Sequence, residues 1–468
     1  MLSNLEAVQE NNAALEARFA DKLKVNYQLN RQLVSFQANK NKPVYRWFKY
    51  KEGFSEAFVQ HLLDYLALNE GHIIDPFAGT GTVLFVASER GLQATGIELL
   101  PVGCEIMHVR KLMQNDDVAT LQSLIERWRR EQPWQQIQSH STFPHLRITH
   151  GAFPEDTQRA LERYLAALAS ERGAATQVLR FAAMCVLEEI SYTRKDGQYL
   201  RWDYRSGRRQ RSKPFDKGKI LNFEEAITCK LDEISLDLQP SGFLPGFFGS
   251  PAEKGKIEVL RGSCLDVLPT LEAASFDGLI TSPPYANRYD YTRTYALELA
   301  LLGIGEIEIR ELRQAMVSCT VENREKTHLQ NVFGKAIYQQ AAAAFDNQQE
   351  LQAILSYLEW QKSMKMLNNA GIPRMIRHYF FELALVIFEC ARLLKPKAPF
   401  VMVNDNVRYG GVIVPVDLIL SDFAERAGFD VEVIWVLPTG KGNSSQQMGT
   451  HGRQEVRKCV YIWRRRSE

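Results

Sequence analysis

The sequence predicts an α/β protein: a mostly parallel sheet flanked by helices and interrupted by two largely helical insertions. Three observations carry this. "HIIDPFAGTGT" is an apolar strand that runs into a glycine turn and then a helix, and "ATGIELL" follows as a second strand. Strand–helix alternation returns at "KIEVLRGSCLDVL" and "SFDGLITSPPY", and again after the long helix 373–394. Between these blocks it lapses twice, over 112–255 and 305–370, and helical pieces take over.

Taken in order, residues 1–24 read as a helix with Leu15, Phe19 and Leu23 four apart. Residues 54–68 form a second amphipathic helix. A helix from Val83 to Arg90 is stopped by Gly91. The first insertion holds helical pieces, notably 158–190, a basic stretch, and the Pro/Gly-rich "LQPSGFLPGFFGSP". The second is rich in Ala and Gln. After helix 373–394 come the strand "PFVMVNDN", a helix over 415–427, and the strands "DVEVIWVL" and "KCVYIW". There is no internal repeat.

Composition narrows the class. Apolar residues make up 45% of 468, enough for a sizeable core. Net charge is +2, so any nucleic-acid surface must be local. Seven cysteines form no C-x-x-C pair, which argues against a zinc site or a disulfide framework and for a reducing compartment. The polar N-terminus is no signal peptide. The most apolar helix, "FFELALVIFECARLL", is too short to span a membrane and contains Glu382 and Glu389. The expectation is a cytoplasmic protein without membrane or metal.

The glycine turn carries the first chemistry. Gly79 and Gly81 let backbone approach a ligand closely. A dinucleotide fingerprint needs a third glycine, and Val83-Leu84 stand in its place. Asp75 at the strand end would repel a pyrophosphate but suits a cationic amine. Glu98 ends the next strand, where ribose hydroxyls are read. An amino-acid-bearing adenosine cofactor fits this set.

Asp75-Pro76-Phe77-Ala78-Gly79-Thr80-Gly81-Thr82 together with Thr281-Ser282-Pro283-Pro284-Tyr285 resembles the motif pair of the amino-methylating DNA methyltransferases, which use S-adenosylmethionine (AdoMet). "KPVYRWFKYKEGFSEAFV" is similar to that family's further cofactor segment. The resemblance covers roughly residues 43–110, 256–300 and 370–468. It implies a Rossmann-like class I methyltransferase sheet of seven mostly parallel strands. It implies AdoMet binding by Phe54, Asp75, Phe77, Gly79, Gly81, Thr82, Glu98 and Asp266, with Asp266 on the adenine amine. It implies the organisation 1–111 (N-terminal helices and cofactor half), 112–255 (insertion and possible target-recognition region), 256–304 (catalytic half), 305–370 (helical insertion) and 371–468 (end of the sheet).

Ser282-Pro283-Pro284-Tyr285 carries the second chemistry. An exocyclic base amine is a poor nucleophile because its lone pair is delocalised into the ring. A serine hydroxyl and a backbone carbonyl accepting its N–H groups would aim that lone pair at a methyl donor. The prolines make the turn rigid, and Tyr285 offers a ring on which an extruded base stacks. In the family, serine before the prolines goes with the N4 amine of cytosine, and aspartate or asparagine with the N6 amine of adenine. Ser282 therefore points to cytosine N4, with adenine open. An RNA base-amine enzyme and a non-catalytic nucleic-acid-binding protein on the same fold are the further alternatives. A carbon-5 enzyme would want a cysteine after a proline, and none of the seven follows one.

Residues 192–219 hold ten Lys/Arg against three Asp, with Tyr192, Tyr199, Trp202 and Tyr204 interleaved. This mixture suits phosphate contacts and stacking on double-stranded DNA. Arg194, Lys195, Arg201, Trp202, Arg205, Arg208, Arg209 and Arg211 are its candidate contacts. Asn287 and Arg288 either touch the flipped base or pack at the sheet edge. "TGKGNSSQQMGTHGR" (439–453) either closes over DNA or merely joins two strands. A cognate restriction or defence-system protein is a candidate partner, and the sequence does not say whether one exists.

Overall fold

The computed structural model describes residues 2–115, 118–196, 200–209, 214–239, 254–438 and 455–467. The first half of the sheet region contains α1 (Leu2–Arg18), β1 (Leu23–Val25), α2 (Glu56–Tyr65), β2 (His72–Asp75), α3 (Thr82–Glu89), β3 (Gln93–Glu98) and α4 (Pro101–Asn115). In the first insertion, β4 (Thr193–Lys195) and β5 (Leu200–Trp202) form a small antiparallel pair. Then come β6 (Ile257–Arg261), β7 (Gly278–Thr281) and β8 (Pro399–Asp405). A second small pair, β9 (Val407–Tyr409) and β10 (Val412–Val414), precedes β11 (Phe429–Val436) and β12 (Lys458–Arg465).

The main sheet runs in the order β1-β11-β12-β8-β7-β2-β3-β6. Every neighbour pair is parallel except those made by β12, which is antiparallel to both β11 and β8. Strand order reverses between β2 and β7, and such a switch point opens a crevice beyond the carboxyl ends of the strands. β8 is buried along its whole length, as a central strand covered on both faces must be.

The seven strands read from the sequence are all present, and the sheet has an eighth. The helix expected over 1–24 ends at Arg18, whose guanidinium pairs with Asp422 and Glu425. The chain then turns, and Leu23–Val25 adds to β11 opposite Ile434–Val436. Leu23 fits the helical spacing of Leu15 and Phe19, but the open edge of β11 claims it. The helical stretch 158–190 is two helices, Glu155–Ala167 and Ala174–Ile190, and Gly173 between them has φ 61°. The second insertion is helical as expected, with Lys335–Asp346 and Gln349–Ser363 its longest pieces. The Pro/Gly-rich stretch at 240–251 lies outside the described residues. No helix among the described residues is long and apolar enough to cross a membrane.

The first insertion is fastened to the segment before α2 by one carboxylate. Asp237, 4% exposed, accepts from Val44 N (2.9 Å), Trp47 Nε1 (2.8 Å) and Arg46 Nη2 (2.5 Å). Removing it strands a buried indole N–H, a backbone N–H and most of the pairing of Arg46. Asp237→Ala should cost about 3 kcal/mol. A fall in the urea midpoint at unchanged slope would register it, and an unchanged midpoint would show that this carboxylate does not hold the insertion.

Candidate active site

The glycine turn is shaped by backbone conformation. Gly79 and Gly81 have φ of 57° and 76°. A Cβ on Gly81 would sit 2.7 Å from Met107 Cγ, so this residue must be glycine for the chain to enter α3. Gly79 lines the cavity beneath the turn, whereas Gly81 acts from behind it. Arg110, buried in α4, donates to the Thr80 carbonyl at 2.8 Å and braces the turn from below.

Two carboxylates stand at the ends of β2 and β3. Asp75 Oδ1 accepts from Phe77 N (3.0 Å) and from Thr281 Oγ1 (2.5 Å). Glu98 accepts from Gly79 N through Oε2 (2.7 Å) and from Leu100 N through Oε1 (2.6 Å). Burial pushes both carboxyls up to about 7, and for Glu98 the nearby Asp75 adds to the effect. Two acids held this way suit a ligand that brings positive charge and hydroxyl donors.

Both acids line one cavity beneath the glycine turn. Phe54, Phe77 and Thr82 also line it, as do Gly262, Ser263 and Cys264 after β6. Asp266 does not line it. Its half-exposed carboxylate sits 3.5 Å from His328 Nε2, one turn into the short helix Cys264–Val267 and away from the cavity.

A second, larger cleft opens on the other side of the Ser-Pro-Pro-Tyr turn, and Ser282 lines both. Pro284 faces the first cavity, while Pro283 and Tyr285 face the cleft. Ser282 Oγ donates to the Val403 carbonyl at 3.1 Å and lies 3.3 Å from the Tyr285 hydroxyl. With its hydrogen directed at Val403, the serine oxygen turns lone pairs outward as an acceptor. Glu52 also lines both spaces and accepts from the hydroxyls of Tyr289 and Tyr295.

The cleft is basic. Lys40, Lys49, Lys51, Arg408 and Lys458 line it with Arg31, Lys195 and Arg288, against Glu52, Asp196 and Asp405. Sequence reasoning named only Lys195 and Arg288 of these cations. A usable signal stood in "NKNKPVYRWFKYK", which interleaves cations with aromatics as 192–219 does. Asn287 and Arg288 both line the cleft, and Arg288 has φ 65°, a strained value for a bulky residue.

The basic stretch 192–219 is largely tied to itself. Arg205 pairs with buried Asp203 at 2.6 Å, and Arg208 lies over the Trp202 ring at 3.6 Å. Arg194 and Arg201 lie over Phe215 at 5.4 and 4.1 Å. Lys195 is buried and pairs with Glu298 at 2.6 Å, although it reaches the cleft wall. Arg209 is exposed, and Arg211 and the loop 439–453 lie outside the described residues. Of this stretch, Lys195 and Asp196 alone line the cleft among the described residues. The described residues contain no group of three or more His, Cys, Asp or Glu arranged to hold a metal.

A switch-point cavity with paired carboxylates, joined through a Ser-Pro-Pro-Tyr turn to a basic cleft, defines a nucleic-acid group-transfer enzyme. The DNA methylase family of N6/N4 type matches residues 9–108. The Type II methyltransferase M.AvaI of Nostoc sp. (strain PCC 7120 / SAG 25.82 / UTEX 2576) is 53% identical over 467 residues, covering 99% of this chain and 95% of the relative. The protein of the same name from Anabaena variabilis matches equally. The Type II methyltransferase M.BsoBI of Geobacillus stearothermophilus is 39% identical over 457 residues, covering 93% and 88%. No solved structure matches the chain. The chain belongs to the amino-methylating DNA methyltransferases, a family whose members generally use AdoMet.

The raised carboxyls make a pH prediction. Near neutral pH, Asp75 and Glu98 are partly protonated, and a cationic ligand pairs with the ionised forms. AdoMet affinity should rise as pH climbs through about 7, with proton release on binding. Calorimetry in buffers of different ionisation enthalpy measures the release. In the ligand-free protein the sign is opposite: groups raised in the fold contribute stability below their unfolded values, and that stability is lost as pH rises through about 7. Asp75→Asn should flatten both profiles.

Proposed function

We propose that this protein transfers a methyl group from AdoMet to the exocyclic N4 amine of a cytosine flipped out of a specific site in duplex DNA. The observation that carries this is the position of Ser282: an acceptor oxygen at the junction of a small-molecule cavity and a basic cleft.

AdoMet, when bound, supplies a methyl group on a positively charged sulfur. Asp75, Glu98 and the Gly79 turn would hold it in the smaller cavity, with Phe54, Phe77 and Thr82 around it. On the cleft side, Ser282 Oγ and a backbone carbonyl of the Pro-Pro turn accept the two amine hydrogens. This pulls the amine out of conjugation and turns its lone pair through the junction toward the cofactor cavity. Tyr285 lines the cleft where the base ring would lie. Serine before the two prolines is the feature that favours cytosine over adenine.

The basic cleft takes the sugar-phosphate backbone. The first insertion reaches it through Lys195 and Asp196 at the end of β4, whereas the second contributes Asn368. This favours 112–255 as the region that reads the target sequence. The name Type II methyltransferase on the relatives supports a cognate restriction enzyme as a functional partner.

Ser282→Ala should lower the methylation rate by about 10²–10³ while leaving AdoMet binding intact. Digested DNA from an expressing host should contain N4-methylcytosine by mass spectrometry. N6-methyladenine in its place would leave the mechanism standing and overturn the base assignment. Wild-type rates in Ser282→Ala would remove this turn from the chemistry.

Lys40 and Lys49 are exposed on the cleft rim. Replacing both with Ala should weaken binding to all DNA sequences and flatten the salt dependence by roughly 0.9 per lost phosphate contact. Arg205→Ala, which removes a cation already paired with Asp203, should leave the slope unchanged.

A further inference from the structure

We propose that Lys458, braced by Asp405, reads the carbonyl edge of the flipped base and makes the site prefer cytosine to adenine; this rests on the N4-cytosine reading above.

The two side chains form an ion pair inside the cleft, on the same wall as the catalytic turn. Asp405 Oδ2 lies 2.6 Å from Lys458 Nζ, and the residues face each other directly across β8 and β12. Asp405 is 4% exposed, a position where a carboxylate needs a partner. Neither residue belongs to the two motifs, and the chemistry at Ser282 does not require them.

Their placement relative to Ser282 suggests the role. Ser282 Oγ is bonded to the carbonyl of Val403. Asp405 lies two residues further along β8, about 6.6 Å at the usual strand rise, and on the same face as Val403. A base whose amine is held at Ser282 and whose ring extends into the cleft points its next edge atoms toward this pair.

Cytosine and adenine both carry an amine and, beside it, a ring nitrogen acceptor. They differ at the next position, where cytosine has a carbonyl oxygen and adenine a C–H. An ammonium there donates to cytosine and is left facing a C–H in adenine. A charged donor aimed at a polar group favours the base that carries that group over one that lacks it. A carboxylate alone would repel the carbonyl. Lys458 on Asp405 presents donors instead and keeps the acid satisfied.

The test uses the full-length enzyme and a duplex in which the target cytosine is replaced by a 2-aminopyridine C-nucleoside. That base keeps the amine and the ring nitrogen but has C–H in place of the carbonyl. Wild-type kcat/KM should fall about 10–100-fold on this substrate, the scale of a lost hydrogen bond to a charged group. The Lys458→Met/Asp405→Asn variant, which leaves no lone buried charge, should be slower on cytosine but show no added penalty with the analogue. Lys458→Arg should restore the discrimination. Wild-type enzyme that methylates the analogue as fast as cytosine overturns the proposal without recourse to any variant. So does a folded, AdoMet-binding double variant that still discriminates as the wild type does. Product analysis on natural DNA separates the two levels. N6-methyladenine would overturn the cytosine reading and this proposal together. N4-methylcytosine with an unpenalised analogue would overturn this proposal alone.

Discussion

The hydrogen bond from Thr281 Oγ1 to Asp75 Oδ1 holds together the two halves of the site. Thr281 is the last residue of β7 and Asp75 the last of β2, neighbouring parallel strands at the point where strand order reverses. β2 runs into the glycine turn and β7 into the Ser-Pro-Pro-Tyr turn. The bond sets how far apart those turns stand. Methyl transfer to a weak nucleophile depends on that separation more than on any acid or base, since the reacting atoms must be held close and in line. The same Asp75 oxygen also takes the amide of Phe77, so one buried atom fixes both the glycine turn and its distance from Ser282.

The segment before α2 forms a wall shared by the two spaces. Glu52 and Gly53 line both, Tyr50 and Phe54 face the cofactor side, and Lys49 and Lys51 face the cleft. Tyr50 stacks on Tyr295 at 5.1 Å, and Lys195 Nζ lies over the same Tyr295 ring at 4.7 Å, which ties this wall to the helices after the Ser-Pro-Pro-Tyr turn. Asp237 fastens the same segment to the first insertion.

The sheet strands were legible because each is a short apolar run next to a turn, and the two motifs mark their strand ends directly. Asp75, Gly79, Glu98 and Ser282 stand where the sequence places them, since a strand followed by a tight turn leaves its last residue little freedom. Asp266 was less legible. It lies on a helix of four residues, where rotation by one position decides between cavity and solvent, and no periodicity fixes that rotation. β1 was missed for a related reason: three residues carry too little pattern to oppose a helical spacing that happens to continue through them.

The largest difference lies in the charges, and its cause is physical. A run of cations in sequence is conspicuous, but cations crowded together repel, so the fold disperses them onto carboxylates and rings. Asp203 takes Arg205, Glu298 takes Lys195, and three more lie over the rings of Trp202 and Phe215. A DNA cleft needs the opposite arrangement, with cations spread along a groove so that each meets its own phosphate. Here the cleft's cations come from around 31–51, at 288 and at 408, beside Lys195 and Lys458, which are paired with Glu298 and Asp405. The window 31–51 supplies Arg31, Lys40, Lys49 and Lys51, and the other cations reach the cleft from distant parts of the chain. The field of the cleft exists only once β12 returns antiparallel beside β8, the segment before α2 crosses the sheet ends, and the first insertion folds against it. In a chain whose net charge is only +2, topology concentrates positive charge in one cleft beside the Ser-Pro-Pro-Tyr turn.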